Sequence, residues 1–344
     1  MAMKKSSAEF ITESWYKGAW WLYFLLPLAW LYHLLISLRR LLYTLNISKS
    51  YRPSIPVIVV GNITLGGTGK SPLVAYLVES LRQKGYHPGV VSRGYGSSIG
   101  KEEVKEVLSS SLVSEVGDEP LMLKRRVNCP VFVSPSRKNA VQALEKTGCD
   151  IVISDDGLQH YALERDVEIC VFDGKRKWGN ACLLPVGPLR EPKSRLKSVN
   201  YIVVNGGFVD GDSWQHNNLL QSAYRMELEP DDLRSVNGKD VSLVSDFQSK
   251  EVNAVAAIGN PERFFKVLES SGIKVVRHAF NDHHAYQISD LRFPNSLPII
   301  MTEKDAVKCR QFNLQNAWYL PVSAQLNSDL AGNVIKQLKL ENRI

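Results

Sequence analysis

The sequence predicts an α/β fold: a mostly parallel sheet flanked by helices, a second, smaller α/β domain, and an N-terminal helix that associates with a membrane. Three observations predict it. From about residue 51, short β-branched runs alternate with amphipathic stretches, the rhythm of βαβ units in a sheet covered on both faces. Around 205–250 Gly, Asn, Asp and Ser accumulate and periodicity fades before the rhythm restarts. Near the start, Ala19–Leu38 passes without a formal charge, about the length that spans a bilayer. These divide the 344 residues into an N-terminal membrane-associated helix (1–50), a main domain (51–220) and a C-terminal α/β domain with its linker (221–344).

The N-terminal segment is polar over 1–14 and is expected to fray. The apolar run that follows is flanked by Lys4, Lys5 and Lys17 on one side and Arg39-Arg40 on the other. No small-residue cleavage site precedes Arg39, which argues against a secretory signal. Basic flanks at both ends give no orientation for a spanning helix. Trp20, Trp21, Tyr23, Trp30 and Tyr32 are spread along the run and Pro27 interrupts it, whereas aromatic residues of a span gather at its ends. A helix lying in the cytoplasmic leaflet with its cationic flanks on headgroups fits best; a helix buried in a soluble fold is the alternative.

The main domain begins with the strand at 55–60, which runs into Gly61-Asn62-Ile63-Thr64-Leu65-Gly66-Gly67-Thr68-Gly69-Lys70-Ser71-Pro72 and a helix over 70–84. Strand, glycine-rich loop and helix form the context of a phosphate-binding loop, so this sheet is P-loop NTPase-like. Thr64, Leu65, Gly66, Gly67, Thr68, Gly69, Lys70 and Ser71 would cradle ATP. Backbone N–H groups and the helix dipole meet phosphate, Lys70 reaches the β- and γ-phosphates, and the Ser71 hydroxyl sits on Mg²⁺. The usual first glycine of the loop is replaced by Thr64, which must avoid positive φ. Pro72 suits a first helical turn.

Further strands are expected at 88–92, 130–134, 150–154, 167–172 and 200–204, with helices at 118–127 and 136–147. Ligands of such sheets bind at the carboxyl ends of strands. Past the strand at 88–92 lies Ser92-Arg93-Gly94-Tyr95-Gly96, a loop that suits phosphate or plain solvent. Gly117-Asp118-Glu119-Pro120 opens a helix, with Asp118 where an N-cap would be. Asp150–His160 is an apolar strand ending in Asp155-Asp156, as a Walker B element requires, and one of these carboxylates would hold Mg²⁺. Gly187-Pro188-Leu189-Arg190-Glu191 is a loop by its composition.

In the last hundred residues, strands are expected at Val252–Ile258, Ile273–Phe280, Leu297–Met301 and Trp318–Val322. Helices are expected at Pro261–Ser270, Asp305–Gln311 and Asp329–Leu340. Two strand-ends are polar: Asp282-His283-His284 and Thr302-Glu303-Lys304-Asp305. Adjacent histidines point apart and no third ligand has helical spacing to them, so an acid–base histidine suits the first better than a metal site; two surface histidines is the plain alternative. The charge of +7 suits an anionic partner. Five scattered cysteines, none at metal-site spacing, read as reduced thiols.

The ordered set of these motifs, ending in Thr302-Glu303-Lys304-Asp305-Ala306, resembles the tetraacyldisaccharide 4′-kinases, the lipid A 4′-kinases of Gram-negative bacteria. The resemblance covers nearly the whole chain and includes Thr64 at the loop's first position. It implies an enzyme at the cytoplasmic face of the bacterial inner membrane that uses ATP to phosphorylate the 4′-hydroxyl of a tetraacyl disaccharide 1-phosphate, giving lipid IVA. It implies two α/β/α domains with the active site between them. It also raises Asp118 from a cap to the catalytic base, partnered by a histidine of the Asp-His-His stretch, His283, with Lys70 as the third catalytic residue. Metal contacts would come from Ser71, Asp155 and Asp156, with Glu191 in an outer shell; Arg93 and Arg137 are candidate phosphate contacts. Expected partners are ATP, the acylated disaccharide lipid and the membrane, with no nucleic acid.

Competing readings are separable. A membrane-associated P-loop ATPase acting as a switch would carry Lys immediately before Gly-Gly, where this chain has Leu65. A GTPase would carry Asn/Thr-Lys-x-Asp, and residues 302–305 are out of register for it. A soluble kinase or ligase with a hydrophobic partner-binding helix would leave the membrane in water alone.

Overall fold

The computed structural model describes residues 7–207 and 218–344. The chain opens with α1 (Ser7–Lys17), a 3-10 segment (Trp20–Leu25) and α2 (Leu26–Thr44). The polar stretch expected to fray is helical from Ser7; residues 1–6 lie outside the described residues. Buried Trp15 ties α1 down, donating its indole N–H to the Pro185 carbonyl at 2.9 Å. Pro27 starts α2 rather than interrupting it, because a first-turn residue needs no N–H. Leu22 and Ala29 pack with Trp15 and Val186. The remaining apolar surface is bare: Trp20, Phe24, Trp30 and Leu34 are 73%, 77%, 71% and 64% exposed. A helix buried in a soluble fold is therefore not what forms.

Next come β1 (Val57–Gly61), α3 (Lys70–Gln83), β2 (Pro88–Ser92), β3 (Lys105–Glu106), α4 (Val113–Val116), α5 (Asp118–Arg126), β4 (Val131–Val133), α6 (Arg137–Leu144), β5 (Ile151–Asp155), β6 (Val167–Asp173) and β7 (Tyr201–Asn205). After α7 (Asn218–Gln221) follow β8 (Tyr224–Pro230), β9 (Leu233–Ser235), β10 (Val241–Ser242), β11 (Glu251–Ala256), α8 (Pro261–Ser270), β12 (Lys274–Ala279), β13 (Ile299–Thr302), α9 (Glu303–Cys309), β14 (Ala317–Leu320), β15 (Val322–Leu326) and α10 (Leu330–Leu340).

Among the described residues two sheets form. The larger has the order β15-β8-β7-β6-β1-β5-β2-β4-β3, parallel from β8 to β4 with antiparallel edges. The smaller has the order β10-β9-β14-β13-β11-β12. Every residue of β1 is buried, as a central strand covered on both faces requires. On one face α3 lays down Leu73, Leu77 and Leu81, one helical turn apart, against Leu121 of α5 and Leu338 of α10. The other face is covered by Val141 and Leu144 of α6 with Leu158 and Trp178. In the smaller domain Phe264, Phe265 and Leu268 of α8 fill one face, and Ala306 and Cys309 of α9 the other.

A division at 220/221 does not follow the sheets. β8, β15 and α10 lie beyond it in sequence yet join the larger sheet, so the chain crosses between domains along the antiparallel pair β8–β15. β8 hides inside the expected linker because Tyr-Arg-Met-Glu-Leu-Glu-Pro buries only Met226, leaving no apolar run to read. Part of that linker, 208–217, lies outside the described residues. All five cysteines are free.

Candidate active site

The glycine-rich loop joins β1 to α3. Gly66 (φ 103°) and Gly69 (φ 94°) adopt left-handed backbone, and a Cβ on Gly69 would stand 2.4 Å from the Asn205 side-chain nitrogen. Thr64 is explained by its neighbour: it forms an antiparallel bridge with Leu189, while Leu65 N–H donates to Pro188 O at 2.8 Å and Arg190 N–H to Ile63 O at 2.7 Å. Extended backbone of that kind suits threonine, so the 187–190 segment braces the loop where glycine would otherwise turn it. Lys70 donates to Asn62 Oδ1 (3.3 Å) and faces Asp156 Oδ1 (3.5 Å). Behind the loop, Asn205 donates to Thr68 O at 2.9 Å and accepts from Arg263 of α8 at 2.9 Å. Sequence reasoning missed Asn62 and Asn205; both stand at strand ends.

β5 pairs directly with β1, so Asp155 and Asp156 emerge beside the loop. Asp155 is buried and its Oδ1 has no hydrogen-bond partner. Burial, then Glu119, push its pKa up to about 7. Burial would raise Asp156 too, but Lys70 and Arg190 hold it below the ordinary carboxylate value; Arg190 Nη1 lies 3.2 Å from both its oxygens. Arg137 is buried and donates to the Asp155 carbonyl at 2.6 Å, leaving Nε and Nη1 unpartnered. Burial lowers its pKa to about 10.

Glu191 has a different task from the one expected. Its oxygens accept from Gln159 (2.7 Å), Tyr161 (2.8 Å) and Arg195 (3.1 Å). It therefore braces the loop that carries Arg190 rather than presenting free oxygens to a metal. No group of three or more His, Cys, Asp or Glu forms a metal cage among the described residues. Mg²⁺ needs no such cage, since it keeps waters and phosphate oxygens and takes one or two carboxylates. The orphaned Asp155 oxygen and the Ser71 hydroxyl suit it.

Asp118 is the first residue of α5. The cap position belongs to Gly117, at φ 89°, where a Cβ would strike Tyr95 O at 2.7 Å. Freed from capping, Asp118 is buried with Oδ2 2.9 Å from His283 Nδ1, across the two domains. Burial would raise its pKa; the His283 hydrogen bond and the Lys304 charge reverse this and hold it below the ordinary value. The same hydrogen bond raises His283, against burial and Lys304. His283 has φ 60° and lies against Tyr95, ring centroids 5.2 Å apart. His284 turns away, stacked on Phe280 and paired with Asp290 at 3.0 Å. Only His283 of the two enters the site. Lys304, quoted in a motif but given no role from sequence, reaches Glu119 Oε1 (3.0 Å), Asp282 Oδ1 (3.2 Å) and His283 Nε2 (3.3 Å).

The phosphate loop, Asp155, Asp156, His283 and Lys304 line one cleft of about 1320 Å³, and buried Asp118 joins it through His283. The cleft runs from Gly66–Ser71 past Asp155, His283 and Lys304 to Tyr32, Ile36, Arg39 and Arg40 of α2. Arg93, Arg137 and Arg190 line it beside the carboxylates of Glu119, Asp155 and Asp156, and so does His160. Burial, then Arg137 and its neighbours, push the His160 pKa down to about 4.

A phosphate loop, a buried Asp–His pair and an exposed apolar helix on one cleft match a known family. The pattern described as tetraacyldisaccharide-1-P 4′-kinase matches residues 21–339. The chain belongs to that kinase family. Tetraacyldisaccharide 4′-kinase of Methylobacillus flagellatus is 45% identical over 340 residues, covering 98% of each chain. That of Hahella chejuensis is 46% identical over 328 residues, 92% of this chain and 93% of its own. The crystal structure of LpxK from Aquifex aeolicus in complex with ATP superposes with a TM-score of 0.76 at 28% identity, covering 93% of this chain and 98% of the other. The kinase reading thereby prevails over the switch ATPase, and the shared fold bears out the α/β expectation.

Proposed function

We propose that this chain binds ATP and transfers its γ-phosphoryl group to the 4′-hydroxyl of an acylated disaccharide 1-phosphate, giving lipid IVA at the cytoplasmic face of the bacterial inner membrane. The observation that carries the reading is that one cleft joins the phosphate loop, His283 with buried Asp118 bonded to it, and α2. A sugar hydroxyl is a poor nucleophile. Asp118, kept ionised by its neighbours, accepts its proton as the oxygen bonds to the γ-phosphorus and the bond to the leaving ADP breaks. His283 orients Asp118. Lys70 neutralises phosphate charge, and the backbone of 64–71 holds the polyphosphate.

Ser71 and Asp155 would hold Mg²⁺, with Asp156 already engaged by Lys70 and Arg190. When bound, the ion supplies neutralising charge at the β- and γ-phosphates. Membrane association is supported by the bare face of α2, since each fully buried Leu or Phe contributes about 1.5–3 kcal/mol. Arg39 and Arg40 at its cleft-facing end suit anionic headgroups. Such a helix sets the cleft at the depth where an acylated sugar presents its hydroxyl.

The test is transfer of labelled γ-phosphate from Mg-ATP to a tetraacyl disaccharide 1-phosphate in detergent micelles. Wild type yields a labelled bisphosphate lipid. Asp118→Ala lowers kcat about 10²–10⁴-fold with ATP affinity kept. ATP hydrolysis without labelled lipid would return the weight to the switch ATPase, and an active Asp118→Ala would remove Asp118 from the mechanism.

A further inference from the structure

The structure assigns Lys304 a positioning role: its ammonium occupies the Nε2 lone pair of His283 and so opposes the imidazolium, leaving the neutral ring to donate from Nδ1 to Asp118. A lysine ammonium only donates hydrogen bonds. Its three N–H groups meet three acceptors, Glu119 Oε1, Asp282 Oδ1 and His283 Nε2, at 3.0, 3.2 and 3.3 Å. Nε2 must therefore present its lone pair. In the neutral ring the proton then sits on Nδ1, which lies 2.9 Å from Asp118 Oδ2 and donates to it. An imidazolium would point Nε2–H at the ammonium and lose this contact.

The local sequence builds Lys304 into place. Thr302 caps α9, and buried Asp305 accepts from the Thr302 hydroxyl (2.6 Å) and from Ala257 N–H (2.9 Å). Lys308 pairs with Asp305 at 2.8 Å and donates to the His284 carbonyl at 3.3 Å, tying the same turn to the histidine loop. Lys304 is 12% exposed and holds charge in a site rich in carboxylates. The charged and titratable groups that face His283 are Asp118 from α5, Tyr95 from the loop after β2, Asp282 from its own loop and Lys304 from α9; Glu119 and Lys308 act one step away, through Lys304 and Asp118.

This inference rests on Asp118 as the base, but its test needs neither ATP nor lipid. The probe is histidine ¹⁵N NMR of the full-length enzyme in detergent, with the His283 signal assigned among seven histidines by His283→Gln. At alkaline pH the wild-type ring carries its proton on Nδ1. In Lys304→Met, and in Lys304→Gln should the first fail to fold, Asp118 still holds the Nδ1 proton, but the ring takes up a second proton at Nε2 more readily. Its titration moves to higher pH by about one unit, the size expected when a cation within 4–6 Å is removed. The acidic limb of kcat/KM moves upward with it, and Lys304→Arg, which keeps the charge, leaves that limb near the wild-type position. An unchanged titration in the neutral variants would make Lys304 a structural ion pair and overturn the inference. An active Asp118→Ala would instead overturn the base reading.

Discussion

At the phosphate end of the cleft the working groups lie between Asn62 and Ser71. At the proton-transfer end, Asp118 and His283 are 165 residues apart in sequence and belong to different domains. The first end is held by backbone: positive-φ glycines, the bridge from Thr64 to Leu189, and the Asn205 bond to Thr68. At the second, the link between the domains is made by side chains, Asp118 to His283 and Lys304 to Glu119, across the contact of α5 with α9. Arg126 of α5 reinforces it, donating to Glu303 at 3.0 Å and to Ser323 at 2.9 Å. The difference teaches that the phosphate loop is shaped mostly by its own domain, whereas the Asp118–His283 pair exists only while the two domains are in register.

The largest effect should come from the phosphate end. Lys70→Ala should cut transfer about 10³-fold, the upper range for removing one preorganised donor, with thermal stability nearly unchanged; near-normal turnover would break the phosphate-loop assignment. At the other end, His283→Ala should lower kcat about 10²-fold, the low end of acid–base contributions. His284→Ala should change kcat less than about 10-fold, since its ring stacks on Phe280 away from the cleft. Comparable losses in both would erase the distinction between the two histidines.

The smallest effect concerns stability and pH. Asp118 has a lowered pKa, so its contribution is present above the ordinary carboxylate value and lost as pH falls through the lowered one. His283 has a raised pKa, so its contribution is full below about 6.5 and lost as pH rises through the raised value. The Tm difference between wild type and His283→Gln should thus be greatest near pH 5–6 and shrink toward pH 9. A difference growing with pH would contradict the pairing.

Legibility in the sequence follows the same contrast. The phosphate loop, Asp155-Asp156 and the strands of the larger sheet were readable because their signals are local: a buried β-branched run and a turn with glycine at fixed offsets. Glu191 was misjudged because its partners, Tyr161 and Arg195, are set by tertiary packing. β8 and β15 were unreadable as members of the first sheet because each fully buries a single residue, Met226 and Ala324, and carries no apolar run. Asp118 looked like a cap, and no spacing rule could show that Gly117 takes that position. Lys304 stood in a quoted motif, but its role depends on three acceptors brought in by two domains.

The most direct test of a base assembled across the domain interface is a double-mutant cycle on kcat with Asp118→Ala, His283→Ala and the double variant. If the two act as one unit, the double variant will be about as slow as Asp118→Ala alone. Losses that multiply would mean that the two residues work independently, and the assembled pair would no longer explain the site.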